Sequence, residues 1–157
     1  PITVCLVVSD NKNAKGLIYA KKYKLKKKIF RFGNKQITEN KLLNYLKRKN
    51  IKLICLAGFM KILSKNFIKK FNGKILNIHP SLLPKFKGLS THQRAIQNKE
   101  KFSGCTVHYV SPKLDSGKII LQKKVRISKK DTPRTLAKKV LKQEHILYFK
   151  AIKKIVF

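Results

Sequence analysis

Short apolar runs, each closed by a polar turn and separated by stretches with helical spacing, constrain this chain more than any other feature. Residues 2–8 are almost continuously apolar and stop at Ser9, Asp10 and Asn11, the pattern of a strand covered on both faces of a parallel sheet. Residues 14–22 carry Leu17 and Ile18 on a short helical face, and residues 28–32 can form a second strand. Thr38 is placed to cap a helix bearing Leu42, Leu43 and Leu46, which leads to a strand over 52–57 and a break at Gly58. Ser64 caps a short helix with Phe67, Ile68 and Phe71, and the next strand, over 75–79, is stopped by Pro80. Beyond a loop marked by Pro80, Pro84 and Gly88, residues 91–98 can form another short helix, and the segments 105–110 and 118–127 read as a hairpin with a long turn. Asp131 or Thr132 caps the last helix, Pro133 fits its first turn, and Leu136, Val140, Leu147, Ala151 and Ile155 form one ridge. This succession predicts an α/β fold with a doubly wound, mostly parallel sheet. With 157 residues, the chain has material for one domain and no comfortable second.

Composition excludes some functions and weakens others. A formal net charge of +33 points at first sight to nucleic acid. Of the 39 basic residues, however, 34 are Lys, and Lys, Asn and Ile together fill 61 positions along the whole chain. A face built for phosphate would favour Arg and cluster it. The expectation is a diffusely positive surface that binds no specific nucleic acid. No apolar run is long enough to cross a bilayer and residues 1–20 carry no signal-peptide pattern, so the chain reads as soluble and cytoplasmic. Cys5, Cys55 and Cys105 are odd in number, far apart and without metal-ligand spacing. Each sits in an apolar run and reads as a small buried hydrophobe.

Chemistry concentrates where the strand over 75–79 ends. Strand periodicity puts Asn77 and His79 on one face, and ligands of open α/β sheets bind at the carboxyl ends of strands. A carboxamide can donate to a developing oxyanion, and an imidazole can move a proton or, when charged, stabilise the same oxygen, a pairing suited to acyl transfer. Asp115 would favour the charged form of a nearby imidazole, although Asp-Ser-Gly is also a common turn. His108 alternates with Val107 and Tyr109 and reads as a packed or half-exposed residue, as do His92 and His145. Glu144 interrupts the apolar ridge of the last helix, where a carboxylate needs a Lys partner or a cleft. No His, Cys and carboxylate set has metal spacing, so no metal is expected.

The motifs Leu56-Ala-Gly-Phe-Met-Lys-Ile-Leu63, Leu76-Asn-Ile-His-Pro-Ser-Leu-Leu-Pro-Lys85, Gly88-Leu-Ser-Thr-His92, His108-Tyr-Val110, Leu114-Asp-Ser-Gly117 and Gln143-Glu-His145 occur in this order over almost the whole chain. Together they resemble the phosphoribosylglycinamide formyltransferase family, the folate-dependent enzymes of purine biosynthesis. The resemblance implies a Rossmann-like formyltransferase domain over residues 1–157. It also implies transfer of the formyl group of 10-formyltetrahydrofolate, the co-substrate, to the amine of glycinamide ribonucleotide. On that resemblance Asn77, His79 and Asp115 are catalytic, and Met60, Lys61, Ile62 and Leu63, with Asn77, hold the folate. Pro80 and Glu144 contact the ribonucleotide.

Departures from the family pattern carry their own expectations. Lys61 stands where Arg is common and cannot make the same two-pronged contact. Ser90 stands in place of a frequent His, and Leu141 in place of a polar residue. The family's first strand and glycine-rich phosphate loop have no counterpart at Pro1. The strands over 3–8 and 52–57 are therefore expected to flank an open lane, and a longer natural chain is expected to fill it. The rival readings are the catalytic domain of methionyl-tRNA formyltransferase, formyltetrahydrofolate deformylase, and a non-catalytic polyanion-binding relic of the fold.

Overall fold

The computed structural model describes residues 2–157. The chain runs β1 (Val7–Ser9), α1 (Gly16–Lys22), β2 (Lys27–Ile29), α2 (Lys35–Arg48), β3 (Leu53–Leu56), α3 (Lys65–Lys70), β4 (Lys74–His79), α4 (Thr91–Gln97), β5 (Phe102–Tyr109), β6 (Ile119–Arg126) and α5 (Pro133–Val156). Side chains set the helix starts. Ser64 accepts a hydrogen bond from the Phe67 amide at the start of α3, and Thr132 forms a reciprocal box with Thr135 at the start of α5, with Pro133 just inside. The cap of α2 is Asn34 instead of Thr38. Asn34 is extended and accepts from the Ile37 amide, whereas Thr38, one turn further in, donates its hydroxyl back to the Arg31 carbonyl at 2.9 Å.

The α/β class is as expected, but the sheet is less parallel than the alternation suggests. Strand β1 pairs in parallel with β2, and β3 with β4, whereas the β4–β5 and β5–β6 pairings are antiparallel. For β5–β6 the reason lies in the connection. No crossover helix separates the two strands, and a direct connection of that kind reverses the chain. Among the described residues the strands form two sheets, β1-β2 and β3-β4-β5-β6. Strand β1 spans only Val7–Ser9 of the apolar run at 2–8 because its ladder to β2 is three residues long, and Ile2 and Val4 are exposed. The loops after β1 and β3 nevertheless approach each other, with Lys61 Nζ 3.9 Å from Asp10 Oδ2.

Two apolar cores cover opposite sides of β4. Ile75 packs with Phe30, Leu42, Leu46, Leu63, Phe67 and Phe71 under α2 and α3, whereas Ile78 packs with Cys105, Val107, Leu136, Val140, Leu147 and Ala151 under α5. Strand β4 is therefore central, and its period of two fixes which residues share a face. Helix α2 is tied to α3 by Glu39, a buried carboxylate that accepts from the Ser64 amide at 2.9 Å and from the Ser64 hydroxyl. Two expectations of burial fail. Ile18 is exposed while Ala20 takes its place inside, and Cys5 and Cys55 are exposed, leaving Cys105 as the buried thiol. Cys5 precedes the short ladder of β1 and Cys55 lies on β3, and those strands do not pair with each other.

Candidate active site

Strand β4 delivers Asn77 and His79 to its carboxyl end, and β5 runs antiparallel beside it in a register that pairs Asn77 with His108 and His79 with Thr106. Directly paired residues point to the same face. The register thus puts a second imidazole beside the carboxamide, and Asn77 Nδ2 lies 3.3 Å from His108 Nε2. On β6, Ile120 is skipped where Val107 pairs with Leu121 and His108 with Ile119. Such a bulge re-aims side chains locally.

The loop after β4 closes over this face and is fastened from beneath. Thr106, fully buried, donates its hydroxyl to the Ser81 carbonyl at 2.7 Å and accepts from the Leu83 amide at 3.1 Å. Gln122 on β6 donates to the Leu83 carbonyl and to the Thr106 hydroxyl, both at 2.9 Å. Phe86 then takes left-handed backbone, at φ 54°, and its carbonyl accepts a hydrogen bond from His79 Nε2 at 2.9 Å. A carbonyl can only accept, so His79 Nε2 carries a hydrogen and Nδ1 is the nitrogen that faces Asp115.

Asp115 approaches from the β5–β6 connection. Its Oδ2 is 3.5 Å from His79 Nδ1 and accepts from the Gly88 amide at 2.9 Å, while its Oδ1 is 3.8 Å from His108 Nε2. The His79 and Asp115 side chains are only 8% and 7% exposed, so water does little to separate or screen the pair. Asp115 is both a turn residue, at φ 45°, and a site carboxylate, which reconciles the two readings of Asp-Ser-Gly. The glycine of that motif is required by space: a Cβ on Gly117 would stand 1.6 Å from the Tyr109 carbonyl oxygen. The same close approach carries the chain from Tyr109 round to Asp115.

The other expected site residues are more scattered. Met60, Lys61 and Ile62 are exposed on the loop after β3, and Leu63 turns into the core with Phe67. Pro80 is half-buried beside His79. Glu144 on α5 is half-buried, forms no ion pair among the described residues, and its carboxyl is pushed up by burial. A groove of about 940 Å³ lies elsewhere, between β2 and α2, and Lys12, Lys28, Arg31, Lys41, Lys47 and Arg48 line it with no carboxylate and no expected site residue. No group of three metal-ligating side chains comes together among the described residues.

Sequence reasoning missed His108 as part of the site. It is buried among Asn77, Asp115 and the Tyr109 carbonyl, and burial pulls its pKa down, which keeps it neutral. His92 is neutral for the same reason, with the nearby His79 charge a smaller cause, and its buried Nδ1 has no hydrogen-bond partner. The signal for His108 was the antiparallel register, because once Asn77 and the strand over 105–110 are taken as neighbours the pairing follows.

A carboxamide, an imidazole and a carboxylate meet at the end of a central strand of an α/β fold, an arrangement suited to acyl-group transfer. Comparison with known proteins gives the family. The formyl transferase family model matches residues 1–152, and the chain belongs to that family. It is 40% identical over 156 residues to "Phosphoribosylglycinamide formyltransferase" of Haemophilus influenzae, covering 98% of this chain and 74% of that one. It is also 40% identical over 145 residues to the chicken "Trifunctional purine biosynthetic protein adenosine-3", covering 90% of this chain but 14% of that protein. Among solved structures, the phosphoribosylglycinamide formyltransferase of Anaplasma phagocytophilum superposes with a TM-score of 0.91 at 39% identity, covering 98% of this chain and 74% of that one. The Bacillus halodurans protein of the same name gives a TM-score of 0.93 at 34% identity, with coverage of 99% and 82%.

Proposed function

We propose that the chain transfers the formyl group of 10-formyltetrahydrofolate to the amine of glycinamide ribonucleotide, a reaction of purine biosynthesis. One observation carries the reading: Asn77, His79 and Asp115 converge at the end of β4, with His79 Nδ1 3.5 Å from Asp115 Oδ2. Folate, when bound, supplies an activated formyl carbon. Asn77 donates a side-chain N–H to the formyl oxygen as negative charge develops there. His79 donates from protonated Nδ1 to the same oxygen, and Asp115 favours that charged state by lying against it. Asp115 receives the proton that the substrate amine loses as it bonds to the formyl carbon, and returns it to the folate nitrogen that leaves. The hydrogen bond from His79 Nε2 to the Phe86 carbonyl supports this division of labour, since it leaves Nδ1 free to face the reacting groups.

In the same reading the loop of Met60, Lys61, Ile62 and Leu63 forms a wall for the folate, and Pro80 and Glu144 contact the ribonucleotide. The exposure of Met60 and Ile62 and the unpaired state of Glu144 support these assignments. The protein works in the cytoplasm on small molecules, with its positive surface holding polyanions without sequence preference. We propose further that β1 and β3 belong to one doubly wound sheet and flank a strand between them. Their lack of mutual pairing, the approach of the loops after them and the exposed Ile2, Val4 and Val8 support that arrangement. Asp115→Asn tests the catalytic reading: formyl transfer falls roughly 100-fold or more while folate binding persists. Unchanged transfer in a folded variant would remove Asp115 from the mechanism.

A further inference from the structure

Within the reaction proposed above, the group that must be aimed most carefully is the Asn77 carboxamide, because its oxygen and nitrogen occupy nearly the same space and only the nitrogen can donate. Asn77 projects from a strand whose neighbour supplies His108 directly opposite. His108 is held on both sides. Its Nδ1 lies 2.9 Å from the Tyr109 carbonyl oxygen, which can only accept, so Nδ1 carries the hydrogen. In the neutral ring Nε2 then offers a lone pair, and this is the atom 3.3 Å from Asn77 Nδ2.

We propose that His108 is a positioning residue: its Nε2 lone pair accepts one Asn77 N–H and thereby fixes the carboxamide with its second N–H free for the formyl oxygen. The reversed amide would set its oxygen against the same lone pair and is disfavoured by repulsion. His108 is fully enclosed and touches no reacting atom in this arrangement, so its effect passes through Asn77. Protonation reverses the logic. A hydrogen on Nε2 calls for an acceptor, and the candidates are Asn77 Oδ1, after the amide turns over, and Asp115 Oδ1 at 3.8 Å. Either outcome disarms the site. Burial is the largest influence on this proton and keeps the ring neutral; the Tyr109 carbonyl and then Asp115 favour the charged ring, and His79 opposes it.

The proposal predicts a division among variants that a merely structural role would not produce. His108→Phe keeps the ring volume without an acceptor, and kcat falls about 10- to 100-fold, the scale of a misaimed catalytic group, with KM for both substrates near the wild-type values. His108→Gln restores a carbonyl acceptor that does not titrate, recovers a large part of kcat and loses any acid limb of the kcat profile owed to His108. Equal losses in the two variants, or losses that fall on KM alone, would overturn the proposal. Nitrogen-15 NMR of the wild-type protein provides a reading independent of turnover and of variant folding. His108 is expected with hydrogen on Nδ1 and a bare Nε2 scalar-coupled to Asn77 Nδ2 across the hydrogen bond. A hydrogen on Nε2 at neutral pH would refute it whether or not the protein formylates glycinamide ribonucleotide. Loss of formyl transfer in the wild type, with the NMR signature intact, would instead refute the proposed reaction.

Discussion

Thr106→Val tests how the site is held up. The substitution keeps the shape of the side chain and removes only the hydroxyl, which receives the Leu83 amide at 3.1 Å and a Gln122 side-chain N–H at 2.9 Å and donates to the Ser81 carbonyl at 2.7 Å. Gln122 keeps its bond to the Leu83 carbonyl, so two backbone groups, the Leu83 N–H and the Ser81 carbonyl, lose their partner. Ser81, Leu83 and Thr106 are all buried, and water cannot take the place of the hydroxyl without opening the loop. At about 1–3 kcal/mol for each orphaned group, the expected loss is about 2–6 kcal/mol, a large part of the ~5–15 kcal/mol that holds a domain together. Urea unfolding followed by circular dichroism measures it, and the melting temperature should fall by at least about 4 °C. Activity should fall as well, because the same loop carries the Phe86 carbonyl and the Gly88 amide that hold His79 and Asp115. A variant within about 0.5 kcal/mol of the wild type, the range of an inconsequential surface change, would refute the claim that Thr106 fastens the loop.

Other consequences follow from the same geometry. Asn77→Ala and His79→Ala each lower formyl transfer by roughly 100-fold or more with folate binding retained, measured by steady-state kinetics and fluorescence titration, and near-full activity in either folded variant would contradict the site. Gly117→Ala forces a Cβ to within 1.6 Å of the Tyr109 carbonyl, so the β5–β6 connection must shift, and transfer should be lost along with stability. Alkylation followed by mass spectrometry should label the exposed Cys5 and Cys55 and spare Cys105, whose thiol is pushed up to about 12, mainly by burial and secondarily by Glu144; rapid labelling of Cys105 in the native protein would show that its core is open. A longer chain that supplies a strand between β1 and β3 should protect the amides of both from hydrogen exchange and raise the melting temperature, and an unchanged exchange pattern would reject the single doubly wound sheet.

Local signals in the sequence identified most elements and the β5–β6 hairpin, while pairings between strands distant in sequence escaped. Ser64 and Thr132 announce helices because a cap acts over three residues. The cap of α2 falls on Asn34 and not on Thr38 because both residue types suit a cap and the choice depends on where β2 releases the chain. Asn77 and His79 could be placed on one face because strand periodicity is local. His108 could not, since its role follows from an antiparallel register that no window of sequence contains. The exposure of Cys55 and Ile18 has the same origin, because an apolar residue is buried only if some other element comes to cover it.

The central claim is most directly tested by following formyl transfer from 10-formyltetrahydrofolate with three acceptors side by side: glycinamide ribonucleotide, charged initiator tRNA and water. The account predicts production of tetrahydrofolate matched mole for mole by formylated glycinamide ribonucleotide, with little transfer to tRNA and little hydrolysis. Transfer to the tRNA alone, release of formate alone, or no consumption of the folate by the folded protein would contradict it.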